Sequence, residues 1–128
     1  MSAMSDYLEN EILDHILGTG AYTMPTTVYV GLSTGSFGDD NSGTELTGNG
    51  YARKSISFGA ASSGTASNDA AVEFAAATGS WGTVSHFGLF DAASSGNLLI
   101  HGALTASKVI ATGDILKIAI GDMDITAA

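Results

Sequence analysis

Short alternating runs of β-branched and aromatic residues, each cut off by glycine, asparagine or serine, constrain this chain most. Runs of this length suit half-buried strands, whose side chains point to opposite faces in turn. Thr26–Ser33 sets Val28, Val30 and Leu32 on one face. Tyr51–Phe58 sets Ile56 and Phe58 against Tyr51, Arg53, Ser55 and Ser57. Ala70–Ala75 carries Val72 and Phe74, and Val84–Phe90, Asn97–Leu104, Lys108–Ala111, Ile115–Ile120 and Met123–Thr126 follow. Turn chemistry separates them at Gly48-Asn49-Gly50, Ser62-Ser63-Gly64, Ser94-Ser95-Gly96-Asn97 and Gly113-Asp114. Pro25 sits just before the first run, where a missing N–H does little harm. The expected fold is mainly β: an antiparallel β-sandwich or partly open, jelly-roll-like barrel of about seven to eight short strands. Two long loops, Gly35–Gly50 and Gly59–Asn68, are polar and rich in small residues. The sequence has no clean repeat, heptad or collagen-like period, which counts against a fibre shaft.

Ahead of the β texture lies one amphipathic helix. Leu8, Ile12, Leu13, Ile16 and Leu17 fall at helical spacing. Asp6 is the expected N-cap, with Glu9 three residues on in capping-box position. Asp6, Glu9 and Glu11 suit the positive end of the helix dipole, and Gly18 and Gly20 are natural stops. A helix of about 12 residues is marginal alone in water, so its apolar stripe must pack on its own domain or a neighbouring subunit. The chain thus divides into an N-terminal helical arm, residues 1–20, and a β-sandwich domain, residues 21–128. Leu8, Ile12, Leu13, Ile16 and Leu17 are the candidate interface residues.

Length and charge narrow the function classes. A chain of 128 residues is one domain, or a small domain with an arm, and buries a sizeable core without staples. Thirteen acids against four bases give a net charge of −9, which argues against nucleic acid and anionic membrane surfaces as partners. Cysteine is absent, so there is no disulfide framework, thiolate site or cysteine nucleophile. No apolar run approaches the roughly 20 residues of a spanning helix, and the first residues lack the regions of a signal peptide. Ala, Gly, Ser and Thr supply half the chain, and only 13% of residues are charged. A surface with so few charges to desolvate is suited to association.

Candidate chemistry is sparse. His15, His86 and His101 lack the short spacing of a zinc site, and a Ser–His–Asp arrangement, which geometry rather than composition identifies, is not expected. Asp39, Asp40, Asp122 and Asp124 are the carboxylates a glycosidase pair would draw on. The segment Asp39-Asp40-Asn41-Ser42-Gly43-Thr44-Glu45 is oxygen-rich, and Asp39, Asn41 and Glu45 are the weak candidate ligands for calcium. It departs from the EF-hand pattern, with Gly43 displaced and no distal bidentate Glu. Trp81, Phe87 and Phe90 form the one informative aromatic cluster, with Gly82 and Gly88 leaving room for rings over a sheet. Core packing is the expectation for Trp81, with a sugar or subunit contact as the alternative. No catalytic residue and no cofactor is expected.

Several blocks together carry a resemblance. They are Tyr7-Leu8-Glu9-Asn10 with Leu13-Asp14-His15, Tyr51-Ala52-Arg53, Ser80-Trp81-Gly82-Thr83-Val84, Phe90-Asp91-Ala92, Gly96-Asn97-Leu98-Leu99 and Gly102-Ala103-Leu104. In order and spacing the chain resembles, from about Tyr7 to Thr126, the short tailed-bacteriophage proteins commonly labelled phage tail fibre proteins. The resemblance implies a non-enzymatic structural component of the virion, assembled in the bacterial host cytoplasm. A compact β-domain with a short docking arm then suits a capsid decoration (cement) protein that stabilises the head. Its partners would be copies of itself, as a homo-oligomer such as a trimer, and the major capsid protein. The alternative is a tail or tail-fibre component bound to other tail proteins and contributing to host attachment by receptor or carbohydrate binding. A hydrolase of cell-surface polymers is the remaining class, and it needs a carboxylate pair about 5–10 Å apart.

Overall fold

A computed structural model describes residues 2–127. The elements in chain order are β1 (Ser2–Met4), α1 (Asp6–Leu17), β2 (Val28–Ser33), β3 (Lys54–Ile56), β4 (Thr65–Ser67), β5 (Val72–Glu73), β6 (Gly82–Phe90), β7 (Leu98–Ile110), β8 (Lys117–Ile118) and β9 (Asp124–Thr126). Five strands make the main sheet in the order β1-β7-β6-β2-β3, and β4-β9 and β5-β8 make two small ladders. Every pairing among them is antiparallel. The mainly β expectation with one N-terminal helix therefore holds, and the described strands form open sheets rather than a closed barrel.

Alternation along the central strands decides what lies on each face of the main sheet. Val30, Leu32, Phe87 and Leu89 point to one face. There they join Val72, Phe74, Trp81, Leu116, Ile118 and Met123 in the larger core, so the two small ladders form the second layer. Phe90 and Leu98 belong instead to a smaller cluster with Phe37, which the Gly35–Gly50 segment brings down onto the sheet. That long loop is packed rather than free. Phe37 is 1% exposed, Ser33 Oγ donates to Thr44 O, and the Leu46 N–H donates to Leu32 O at 3.0 Å.

Several elements differ from the sequence expectation, each for a physical reason. The helix starts one residue earlier than Asp6 as N-cap would place it: Ser5 is the cap, its Oγ accepting the Leu8 N–H at 3.2 Å. Ser5 Oγ also donates to Leu98 O at 2.5 Å, so the cap doubles as an anchor to the sheet and tertiary contact selects it over Asp6. Gly18 ends the helix with φ +80°, and its N–H meets Asp14 O. Asn97–Leu104 and Lys108–Ala111 merge into one strand through an outward bulge. Val84 pairs Lys108 and His86 pairs Ala103, leaving Leu104–Ser107 opposite Ser85. Thr65–Ser67, inside the expected Gly59–Asn68 loop, is strand β4 paired to β9.

Strand β1 is the largest departure. Ser2–Met4 has almost no apolar pattern of its own, yet it pairs Ile100–Gly102 of β7 as an edge strand. The first residues of the arm are therefore stitched into the main sheet.

Candidate functional site

The helical arm divides its apolar residues between two environments. Leu8 is 7% exposed and lines an apolar cleft of about 290 Å³ with Tyr22, Val28, Phe58, Leu89 and Leu99. Ile12 is half-buried beside it in helical register. Leu13 and Leu17 lie on the far side of the helix from Leu8, Ile16 follows Leu8 and Ile12 one turn further along, and all three are more than half exposed. Of the five interface candidates, Leu8 thus docks on the chain's own sheet and three residues face outward. The stretch after the helix folds back, where the Tyr22 N–H donates to His15 Nδ1 at 3.1 Å. Tyr7 and Tyr22 share this corner. Burial, with the nearby Glu11 and Asp91 carboxylates, raises both phenols above their ordinary range.

On the opposite face of the sheet, charged groups fasten the long loop. Glu45 receives Arg53 Nε at 2.9 Å and Nη2 at 2.7 Å, a two-point ion pair that is largely buried. Arg53 Nη1 also donates to Ala92 O and Ser95 O at 2.9 and 2.8 Å, and the guanidinium lies 3.6 Å over the Phe90 ring. Tyr51 Oη donates to Glu45 Oε2 at 2.5 Å and accepts the Leu32 N–H at 2.9 Å. One arginine therefore joins the Gly35–Gly50 loop, the β6–β7 connection and the sheet. A second fastening pairs His101 Nε2 with Asp39 Oδ1 at 2.7 Å.

These commitments dismantle the calcium candidate. Asp39 is held by His101, Glu45 by Arg53 and Tyr51, and Asn41 sits in a turn with φ +57°. The three candidate ligands do not converge, and no cluster of three or more His, Asp or Glu able to hold a metal occurs among the described residues. Asp40 caps its own turn by accepting the Ser42 N–H. The hydrogen bonds from Ser42 hold its carboxyl below the ordinary range.

The remaining candidates do not gather at one place: Asp122 and Asp124 share one cleft, and Asp39 and Asp40 another. Ser85 Oγ meets His86 Nδ1 at 2.7 Å, but no residue belongs both to that pair and to His101–Asp39, so no Ser–His–Asp relay forms. Asp124 accepts from Ser67 Oγ across the β4–β9 ladder, and Asp122 lies on the same side of the molecule, away from Asp39 and Asp40. Trp81 is a core residue. It is 5% exposed, packs edge-on to Tyr51 and Phe74, and its Nε1–H donates to Asn49 O at 2.9 Å. Its indole is closed to a sugar, which corrects that alternative. Gly88 fulfils the expected role under rings, since a Cβ there would come within 3.2 Å of Leu98, Phe90 and Phe37.

Sequence reasoning missed a second surface. Leu104, Lys108, Leu116, Lys117, Ile118 and Met123 line a cleft of about 250 Å³ beside the bulged half of β7. The signal lay in the charge count, because two of the four basic residues gather there.

The described residues thus form an antiparallel five-stranded sheet layered with two short ladders, in which Arg53–Glu45 and His101–Asp39 fasten loops. The family model described as podophage GP4 fiber I protein gp80 matches residues 3–126, and the chain belongs to that family of fibre-related phage virion proteins. No curated protein matches the chain.

Proposed function

We propose that this protein is a non-enzymatic structural component of the tail-fibre apparatus of a podophage, working as a homo-oligomer bound to other tail proteins. The single observation that carries this is the fibre-family match over residues 3–126. It favours the tail-fibre reading over capsid decoration, which rested only on size and on the docking arm. The structure supports the non-enzymatic part: Arg53, Glu45, Asp39 and His101 are spent on fastening loops, which is what a rigid building block requires. Outward-facing Leu13, Ile16 and Leu17 support the self-associating part. In this reading the chain assembles in the host cytoplasm and contributes to host attachment as part of the fibre rather than through a sugar site at Trp81.

Quantitative mass spectrometry of purified particles tests the placement, together with gold-labelled antibody in the electron microscope. A few to a few dozen copies per particle, with label on the tail, is the expected result. Copy numbers in the hundreds, matching the major capsid protein, would overturn it in favour of a head coat.

A further inference from the structure

Seven large hydrophobic side chains are exposed among the described residues. Three of them, Leu13, Ile16 and Leu17, are neighbours on the last turns of α1, beyond the docked Leu8. Val109, Ile115 and Ile120 are exposed singly, and none of them lines the cleft beside β7. Met24 is the seventh. Single exposed apolar residues are ordinary, whereas three together on one short helix mark a contact surface.

The α1 stripe and the cleft beside β7 differ in charge. Helical geometry puts Glu9 one turn before Leu13 and two turns before Leu17, so the α1 stripe carries an acid along its length, with Asp14 at its flank. The cleft is rimmed by Lys108 and Lys117. Neither lysine takes part in the ion pairs of the described residues, although Asp122 lines the same cleft and Glu73 lies across the ladder from Lys117. On a chain of net charge −9, most surfaces repel an acidic helix. A pairing of two α1 stripes would bring two acidic helices together with no lysine or arginine on either. The apolar cleft beneath Leu8 offers no cation. The lysine-rimmed cleft answers both the apolar and the acidic character of the stripe.

We propose that the exposed α1 stripe of one copy seats in the Lys108–Lys117 cleft of a second copy, head to tail. The contact is heterologous, so each copy keeps one free stripe and one free cleft, and association runs on until a ring closes or a row extends. One helical face is small beside the roughly 1,200–2,000 Å² of a stable interface, so an isolated pair is weak and a closed ring persists. Within one chain the stripe does not fill the cleft, since Leu13, Ile16 and Leu17 are exposed. The inference deepens the self-association reading, and it leaves the fibre assignment, which particle analysis measures, to stand or fall separately.

Sedimentation velocity on the full chain tests it, with two variants that each lose one patch. Ile16→Ser/Leu17→Ser removes the stripe, and Lys108→Glu/Lys117→Gln removes the cleft's cations. All four sites are exposed, and circular dichroism verifies the fold. Wild type is expected to associate, and each variant alone is expected to weaken association by about tenfold or more. An equimolar mixture of the two variants is expected to give a heterodimer that grows no further, because one intact stripe meets one intact cleft. Glu9→Lys with Lys108→Glu is expected to recover part of the loss seen with Lys108→Glu alone. Wild type that stays monomeric at about 0.5 mM overturns the proposal. So do variants that associate like wild type, and so does a mixture that stays monomeric, the result expected if both patches face a different protein.

Discussion

Asn68 is 2% exposed and uses its whole side chain. Its Oδ1 accepts the Met123 N–H at 2.9 Å, and its Nδ2 donates to Ala70 O and Ala119 O, both at 2.9 Å. Asn68→Ala strands one buried and two partly buried backbone groups and is expected to cost about 1–3 kcal/mol in urea unfolding. Asn68→Asp is expected to cost more above neutral pH, since a carboxylate would then face two carbonyls. Tyr51 predicts a pH effect. Burial, then its hydrogen bond to Glu45, holds its phenol well above the ordinary value near 10. The folded state keeps this proton where the unfolded chain loses it, so the stabilisation is complete below pH 10 and declines as pH rises beyond. The slope from this group approaches about 1.4 kcal/mol per pH unit. Urea midpoints between pH 9 and 11.5 should fall more shallowly in Tyr51→Phe than in wild type. Neither residue's role could be read in the sequence, where Asn68 closes a polar loop and Tyr51 opens a strand. Their partners lie up to 55 positions away, beyond the reach of local pattern.

At the scale of elements, two glycines facing each other explain how the second core is built. Gly31 pairs Gly88 across β2 and β6. A Cβ at Gly31 would meet Glu45 Oε2 at 2.7 Å and the Phe90 ring at 3.0 Å, while one at Gly88 would meet Leu98 at 2.9 Å. This bare strip of sheet lets Phe37 and Phe90 pack edge to face, with centroids 5.6 Å apart, and leaves room for the Glu45–Arg53 pair. Gly31→Ala and Gly88→Ala are each expected to cost about 1–3 kcal/mol by thermal or urea unfolding. Hydrogen exchange should quicken in the Gly35–Gly50 loop more than in the β5–β8 ladder. The alternating runs of β2 and β6 were legible because one face of each is buried, and Gly88 was legible as room for rings. Strands β1 and β4 were not, because three polar or small residues carry no period and are strands only through their partners. The division of the arm was equally hidden. A stripe of five apolar residues looks alike whether it covers its own sheet or a neighbour's, and only the seating of Leu8 separates the two sides.

The whole molecule is held by contacts between distant parts of the chain. Ser2–Met4 pairs with Ile100–Gly102, Ser5 caps the helix while holding Leu98 O, and Thr65–Ser67 pairs with Asp124–Thr126. Topology of this kind slows folding, because loop entropy is lost before the pairings form. Removing Ser2–Met4 uncovers the edge of β7 and is expected to lower the urea midpoint while leaving the small β5–β8 ladder in place, as hydrogen exchange would record. Overall fold class was readable at this scale because turn spacing and strand length survive without partners. Strand order was not, since nothing local says that the first residues of the chain lie beside β7. That placement sets a timetable for the living cell. The ribosome releases Ser2–Met4 first and their partners about a hundred residues later, an interval of roughly 5–20 s at ordinary rates of synthesis. Throughout it the nascent chain carries an amphipathic helix and an unpaired strand. The β1 edge of the sheet therefore forms only once β7 has been made, long after its own residues.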